Sequence, residues 1–225
     1  MAAGIGRVIV FEGVEGAGKS TQLDRLAGHL ARASMPHRTF REPGGTPLGD
    51  EIRTLLLDPS STISANSEAL LFMASRAELV SGAVRPAVAA GMVVLLDRFF
   101  LSTYAYQIAG RGLSEADVRA TNLMATEGLV PDLTLLFSLP AREGLARALR
   151  RGGADRMELS GDAFHARVER AFAEFATLEW QSAHEECGPI VSIDAGAGKD
   201  EVEGRVIDAI GARFPEFRHS LGAVA

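Results

Sequence analysis

The sequence predicts an α/β fold in which a parallel sheet of about five strands is flanked by helices on both faces. Short apolar runs alternate with longer segments of helical periodicity, and the first run leads directly into a glycine-rich turn followed by a helical pattern. Alternation of this kind implies right-handed crossover connections and a sheet that is covered on both faces. The predicted strands are Val8–Phe11, Arg38–Phe40, Met92–Leu96, Leu133–Phe137 and Ile190–Ile193.

The glycine-rich turn fits the pattern G-x-x-x-x-G-K-[ST] without a gap. Its glycines let the backbone turn its N–H groups inward, and the positive end of the following helix points at the same place. A polyphosphate fits this cradle, with Lys19 at the β- and γ-phosphates and the Ser20 hydroxyl as a ligand of Mg²⁺. The turn therefore predicts an ATP site in a P-loop NTPase fold. Its residues are Gly13, Val14, Glu15, Gly16, Ala17, Gly18, Lys19, Ser20 and Thr21.

Composition and charge narrow the class of protein. A chain of 225 residues with 47% hydrophobic side chains predicts one domain over residues 1–225. A net charge of −6 gives no electrostatic footprint for nucleic acid, so no nucleic-acid partner is expected. Because no run approaches the eighteen or so apolar residues that span a bilayer, no membrane partner is expected either. Cys187 is the single cysteine, which excludes an intramolecular disulfide and favours a cytoplasmic protein.

Asp97 and Arg98 stand at the end of the third predicted strand. In a P-loop enzyme a carboxylate at this place orients Mg²⁺ or its water, and an arginine holds a phosphate. Asp97 and Ser20 are therefore the candidate metal ligands. The alternative is an ion pair that only closes the strand.

Two further motifs could contact a substrate. The turn Arg41–Thr46 is rich in proline and glycine and directly follows the second strand, although it could be only a connector. Phe72 and Arg76 are four residues apart and share one face of a predicted helix. An aromatic ring and a guanidinium can together stack on and hydrogen-bond a planar heterocycle. A core phenylalanine beside a surface arginine is the alternative.

A lid is predicted at about residues 147–160, where a basic helix end runs into a loop of small residues. Such a segment can bring positive charge over a transferring phosphoryl group. A solvated basic face is the alternative. The arginines of the segment are Arg147, Arg150, Arg151 and Arg156.

Local signals also predict helix limits. Ser114 and Asp117 resemble a capping box and predict a helix that runs to about Gly128 as its C-cap. Pro140 suits a first helical turn. Residues 196–199 imitate a second phosphate loop but lack its first glycine, so they predict a turn.

Together these motifs resemble bacterial thymidylate kinases over residues 11–195. The phosphate loop is shared by many nucleotide-binding proteins, whereas Arg41–Thr46, Asp97-Arg98 and Leu101–Gln107 in this order are specific to the family. The resemblance implies a kinase that transfers the γ-phosphoryl group of ATP to dTMP, with Mg²⁺ as cofactor. It also implies a homodimer, to which the apolar Leu70–Phe72 and Tyr104–Ile108 could contribute if they are not intramolecular core.

The resemblance assigns a nucleoside role to five residues. Glu15 is placed as the acid that accepts a hydrogen bond from the deoxyribose 3′-hydroxyl. Phe72 is similar to the residue that stacks on thymine, and Arg76 matches the arginine that hydrogen-bonds the base carbonyl. Thr103 and Gln107 lie where the family contacts the far edge of the base.

The resemblance also implies which arginines serve the phosphates. Arg41 and Arg98 match the arginines that hold the monophosphate. Family members carry a catalytic arginine either in the phosphate loop or in the lid, and here the loop position is Gly16. The lid must then supply the charge, with Arg151 as the first choice and Arg147 beside it.

One position departs from the family pattern, because Ser138 stands where relatives usually carry an aspartate. This departure leaves Asp97 as the main carboxylate near the metal. The catalytic candidates are Lys19, Asp97, Arg98, Arg147 and Arg151.

Two other functions stay open from the residues alone. One is another small P-loop kinase, acting on a nucleoside or on a different nucleoside monophosphate. A purine would need a wider slot than Phe72 and Arg76 suggest, and a nucleoside would not need two phosphate-holding arginines. The other is a nucleotide-binding switch module, which does not need an arginine-rich lid.

Overall fold

The structure is a computed structural model that describes residues 6–149 and 155–222. In these ranges five strands form one parallel sheet in the order β2-β3-β1-β4-β5. The predicted five-strand parallel sheet is therefore confirmed. The strands are β1 (Arg7–Gly13), β2 (His37–Arg41), β3 (Val93–Asp97), β4 (Leu133–Ser138) and β5 (Ile190–Asp194).

Helices flank the sheet in two groups. Helices α1 and α10 pack against each other and against strands of the sheet, and a second group packs through α4 on β3, α5 on β1 and α8 on β4. Helices α3 and α5 continue into π-helical turns at Val80–Val84 and Tyr104–Gly110. The helices are α1 (Lys19–Arg32), α2 (Pro47–Leu57), α3 (Ala65–Leu79), α4 (Arg85–Ala89), α5 (Phe100–Thr103), α6 (Glu115–Thr126), α7 (Ala141–Leu149), α8 (Asp162–Phe175), α9 (Leu178–Ala183), α10 (Lys199–Arg213) and α11 (Pro215–Gly222).

The central strand β1 places the phosphate loop at the carboxyl edge of the sheet. Phe11 pairs with Asp97 of β3, and Gly13 pairs with Phe137 of β4. The carboxyl ends of β1, β3 and β4 therefore meet at one edge, which is where ligands bind in sheets of this kind.

One hydrophobic core extends from β1 to α11. The central strands are buried on both faces, as expected for parallel strands between two helix layers. The ring of Tyr104 lies in this core with its centroid 5.5 Å from that of Trp180, and Tyr106 is buried beside it. The apolar run that begins at Tyr104 thus packs inside its own chain rather than forming a free dimer surface.

Two predicted helix limits need a correction. Ser114 does cap α6, because its side chain accepts a hydrogen bond from the Asp117 N–H at 3.4 Å. The helix ends one residue earlier than predicted, with Glu127 as its left-handed C-cap at φ 52° and Gly128 just beyond it. Pro140 immediately precedes α7, and its carbonyl accepts the Glu143 N–H at 2.9 Å. None of the described helices combines the length and the hydropathy that crossing a membrane requires.

Candidate active site

The phosphate loop has the backbone that its glycines predict. Gly16 and Gly18 adopt φ values of 69° and 89°, and α1 begins at Lys19. The Lys19 ammonium donates to the carbonyl oxygens of Gly13 at 2.9 Å and Val14 at 2.7 Å. Burial, with the nearby Arg98, lowers the pKa of Lys19 to about 8. The lysine therefore holds the loop closed on itself and supplies a cation at its mouth.

Gly16 is also a point of close contact with α7. A Cβ atom at Gly16 would lie 1.9 Å from the Gly144 carbonyl oxygen, and a Cβ at Gly144 would lie 2.1 Å from the Glu15 carbonyl oxygen. Two backbones thus touch at the loop position that the sequence analysis considers for a catalytic arginine. This packing leaves no room for a side chain at position 16.

Ser20 and Asp97 meet at the start of α1 and the end of β3. The Ser20 hydroxyl donates to Asp97 Oδ2, so the two oxygen ligands lie side by side. One hydroxyl and one carboxylate match the few protein ligands that Mg²⁺ takes when phosphates and water complete its shell. The donor set fits the predicted metal.

Arg98 sits in a strained backbone conformation at the mouth of the loop. Its φ of 74° lies in the left-handed region, which is uncommon for a residue with a side chain. Its guanidinium donates to Ser102 Oγ at 2.9 Å and to the Gly13 carbonyl at 3.3 Å, and lies 3.3 Å from Glu15 Oε1. These contacts direct the cation toward the phosphate loop.

Glu12 lies inside β1 and holds the chain between β3 and α5 in place. No sequence motif assigns it a role. Its carboxylate is fully buried and accepts the Phe99 N–H at 2.7 Å, the Ser102 N–H at 3.0 Å and the Ser102 hydroxyl at 2.7 Å. It therefore satisfies backbone donors at the start of α5. The sequence signal that could have identified Glu12 is an acidic residue that follows directly on an apolar strand run.

Glu15 is held by Arg98 and by Tyr106, whose hydroxyl donates to Glu15 Oε1. Burial alone would raise the pKa of Glu15, but the charges of Arg98 and Lys19 hold it below its usual value. Tyr106 belongs to the family motif Leu101–Gln107, and the sequence assigns it no function. The structure makes it a partner of the predicted sugar-binding acid.

A cavity of about 290 Å³ brings most of the predicted residues together. It runs from the phosphate loop to the face of α3, with Arg98 between them. Gly13, Val14 and Ala17 of the phosphate loop are outside its lining. The predicted residues that line it are Glu15, Gly16, Gly18, Lys19, Ser20, Thr21, Arg41, Phe72, Arg76, Asp97, Arg98, Thr103 and Gln107.

Besides Arg76, the cavity is lined by Arg41, Arg53 and Arg98, whose charges lie close enough to act on one another. Among the described residues nothing pairs with the Arg41 guanidinium. Arg53, which the sequence reasoning missed, donates to the Pro43 carbonyl at 2.9 Å. Burial and the nearby charges of Arg41 and Arg98 lower the pKa of Arg53. Such a cluster attracts an anion between the loop and the far end of the cavity.

Arg76 is more deeply engaged than the resemblance implies. Its side chain is 2% exposed, and all five of its N–H donors have acceptors. Nε and Nη2 both donate to Glu42 Oε2, and Nη2 also donates to the Phe99 carbonyl at 2.8 Å. Nη1 donates to Thr103 Oγ1 at 2.8 Å and to Asn122 Oδ1 at 2.6 Å. A contact between Arg76 and a base carbonyl must share or displace one of these acceptors.

The predicted lid is only partly described. Arg147 is exposed, lies 3.9 Å from Glu143 on the same helix and is not part of the cavity lining. Arg151, the first choice for the catalytic arginine, falls at positions outside the described ranges, as does Arg150. Arg156 donates to the Leu56 carbonyl at 2.7 Å, which fixes the far end of the segment.

Ser138 ends β4 beside a second cavity rather than in the one described above. Its hydroxyl lies 3.5 Å from the Ile193 carbonyl oxygen of β5. Asp97 is the carboxylate next to Ser20, and its role near the metal stays a prediction.

Comparison with known proteins identifies the family. The model of the thymidylate kinase family matches residues 11–186. The thymidylate kinase of Deinococcus radiodurans is 44% identical over 208 residues, which cover 92% of this chain and 98% of the relative. The thymidylate kinase of Chlorobium chlorochromatii is 41% identical over 218 residues, which cover 92% and 95%. The crystal structure of thymidylate kinase from Ehrlichia chaffeensis matches with a TM-score of 0.70 and 26% identity, covering 92% of this chain and 98% of that one. The chain belongs to the thymidylate kinase family.

Proposed function

We propose that this chain transfers the γ-phosphoryl group of ATP to dTMP, giving dTDP and ADP. Membership of the family confirms the predicted fold and the class of enzyme, a phosphotransferase. The single observation that carries the substrate assignment is the cavity itself. It is lined by residues of the phosphate loop, by Phe72 with Thr103 and Gln107, and by Arg41, Arg53 and Arg98.

The acceptor phosphate belongs among the arginines. Arg41 is unpaired within the described ranges, and Arg98 lies between Gly13 and Ser102 at the loop mouth. A monophosphate held there faces the γ-phosphate of ATP on Lys19. Because the acceptor is already anionic, catalysis rests on in-line placement and on neutralised charge and needs no general base.

Mg²⁺ is part of this proposal, with Ser20 and Asp97 as its protein ligands. When bound with ATP, the ion neutralises charge on the phosphate oxygens. The Ser20–Asp97 hydrogen bond holds the two oxygens together at the end of β3 before any ligand arrives.

The nucleoside belongs at the end of the cavity near α3. Phe72 offers an aromatic face there, and Thr103 and Gln107 offer polar atoms to the base edge. Glu15 accepts the 3′-hydroxyl, in addition to the Tyr106 hydroxyl that its Oε1 accepts in the structure.

The proposal extends to the lid, to assembly and to location. Arg151, with Arg147 beside it, supplies positive charge over the transferring group, because the close contact at Gly16 leaves no place for an arginine in the loop. The enzyme acts as a homodimer in the cytoplasm, where ATP is available. The exposed apolar side chain of Leu70 on α3 supports the proposed dimer.

A panel of nucleoside monophosphates with ATP and Mg²⁺ tests the proposal. We expect ADP release that depends on dTMP, with dTDP as the second product, and much lower rates with purine monophosphates. Equal rates with and without dTMP would point to a nucleotide-binding switch instead. A faster reaction with dGMP or dAMP than with dTMP would identify a purine monophosphate as the substrate and contradict the proposal.

A further inference from the structure

Glu68 is a buried carboxylate behind the base end of the cavity, and nothing proposed above uses it. It lies on α3, where its spacing of four residues places it on the same helix face as Phe72 and Arg76. Its side chain is 1% exposed. Three side chains donate to its carboxylate: Gln107 at 3.0 Å, Arg111 twice at 3.0 Å and Arg156 at 2.7 Å.

This carboxylate can only accept hydrogen bonds. Burial alone would raise the pKa of Glu68, but the hydrogen bonds from Arg111, Arg156 and Gln107 hold it below its usual value. Glu68 is therefore ionised near neutral pH and has no proton to donate.

An acceptor at this place determines which way the Gln107 amide faces. Only the NH₂ group can donate to Glu68 Oε1, so the amide orientation follows from chemistry. Gln107 lines the cavity, and its Oε1 receives no hydrogen bond from any described residue. Gln107 thus presents an acceptor to a ligand.

Thr103 presents a donor to a ligand, because a buried arginine already donates to its hydroxyl oxygen. Its Oγ1 accepts a hydrogen bond from Arg76 Nη1 at 2.8 Å, and no described residue accepts its hydroxyl proton. Thr103 also lines the cavity and is free to donate. Two buried charges, Glu68 and Arg76, therefore leave one donor and one acceptor at the base pocket.

We propose that Glu68 is a positioning residue that sets the polarity of pyrimidine recognition through Gln107. A 4-oxo pyrimidine carries an acceptor at O4 and a donor at N3–H, which match Thr103 and Gln107. A 4-amino pyrimidine carries an acceptor at N3, which would face the Gln107 acceptor, and its 4-amino group offers no acceptor to the Thr103 hydroxyl proton. This inference rests on the proposed function and states how its substrate class is selected.

Glu68→Gln tests the inference, because a neutral amide can both donate and accept and so permits Gln107 to turn around. Dissociation constants for dTMP, dUMP and dCMP are measured by calorimetry, with kcat/KM where turnover occurs. We expect the preference for dTMP over dCMP to fall about tenfold, as for one hydrogen bond. The ratio of dTMP to dUMP should stay the same, because both bases present the same edge.

Arg111→Lys is the matched control. It keeps a positive charge beside Glu68 and removes the bidentate geometry, while the Gln107 contact is untouched. It should leave the dTMP to dCMP preference within about twofold, well inside the change expected for one lost hydrogen bond. An equal loss of preference in Arg111→Lys would mean general loosening and would overturn the inference.

If circular dichroism shows that Glu68→Gln is unfolded, the double variant Glu68→Gln with Arg111→Gln carries the test. It removes one of the two arginines that lose their carboxylate, while Arg156 keeps its hydrogen bond to the Leu56 carbonyl. An unchanged preference for dTMP over dCMP in a folded variant overturns the proposed role of Glu68 but does not contradict the proposed function. A wild-type enzyme that does not phosphorylate dTMP contradicts the proposed function instead.

Discussion

Lys19 is a buried lysine that lines the cavity, and its charge is proposed to bind phosphate. Its pKa is lowered to about 8, and only the protonated form attracts phosphate. Because kcat/KM reports the free enzyme, kcat/KM for ATP should fall as the pH rises through about 8. Saturating ATP should weaken this fall in kcat, since bound phosphates favour the charged lysine.

The dependence of kcat/KM for ATP on pH, measured for the wild type and for Lys19→Arg, checks this prediction. The guanidinium stays charged over the whole range, so the fall should move to higher pH in the variant. An unchanged midpoint in Lys19→Arg would assign the titration to another group. Lys19→Ala should lower kcat by about 10²-fold or more, as for loss of one preorganised electrostatic donor.

Arg76 makes structural contacts to four other segments and has a proposed role in nucleoside binding. Arg76→Ala leaves the Glu42 carboxylate buried without its partner, which should cost about 3–5 kcal/mol of unfolding free energy. Burial already raises the pKa of Glu42 although Arg76 opposes this effect. The KM for dTMP should rise far more than that for ATP, because Thr103 loses the donor that orients it.

Urea unfolding and the two KM values check this prediction. Arg76→Lys keeps the charge but not the five-donor fork, so an intermediate effect is expected. A rise in the KM for ATP equal to that for dTMP would show that Arg76 does not belong to the nucleoside end.

At the scale of elements, α7 is coupled to the phosphate loop through two glycines. Gly144→Ala would place a Cβ 2.1 Å from the Glu15 carbonyl oxygen, so either the loop or α7 must move. Displacements of about 1 Å in a catalytic site can cost about 10²-fold in rate. We therefore expect kcat/KM for ATP to fall between about 10-fold and 10²-fold.

Gly204→Ala on α10 is the matched control for this substitution. A Cβ there meets no atom within 4 Å, so its kinetics should equal the wild type. Its melting temperature should rise slightly, because alanine is favoured over glycine inside a helix by up to about 1 kcal/mol. Wild-type kinetics in Gly144→Ala would show that the contact has no influence on the loop.

The same contact at Gly16 supports the proposal that the catalytic arginine lies in the lid. The α7 backbone occupies the space at Gly16, so only another element can bring a guanidinium to the transferring group. Helix α7 itself leads into the segment that contains Arg151.

At the scale of the whole molecule, exposed apolar side chains lie on three helices that pack together. Leu55 of α2 is 55% exposed, Leu70 of α3 is 59% exposed and Met124 of α6 is 75% exposed. Helix α3 packs against both α2 and α6. If the homodimer uses this surface, Leu70→Glu should weaken association at least about tenfold, because it buries a charge at an interface centre.

Light scattering across a dilution series checks this prediction. The mass should fall from two chains to one at a higher protein concentration in Leu70→Glu than in the wild type. Leu178→Glu is the control, because Leu178 is 82% exposed on α9, outside that group of helices. Equal dissociation of both variants would move the interface elsewhere.

The sequence by itself determined the features that depend on local spacing. The phosphate loop, the helix that starts at Lys19 and the buried strands follow from glycine positions and apolar runs within about twenty residues. The pairing of Ser20 with Asp97 was also predictable, because parallel strands end at one edge of the sheet. These properties need no knowledge of which distant segments meet.

Only the tertiary structure decided the partners of the buried charges. Arg76 receives acceptors from the turn after β2, from the loop after β3, from α5 and from α6. Glu12 and Glu68 likewise find their donors on other elements, and Gly16 meets a helix that follows it by more than a hundred positions. Such contacts depend on the order in which strands pair and on how helices cross them, and no local pattern records either. The residue types at the ends of the strands could therefore be predicted from the sequence. The hydrogen-bond partners of the buried charges and the packing at Gly16 were determined by the tertiary structure.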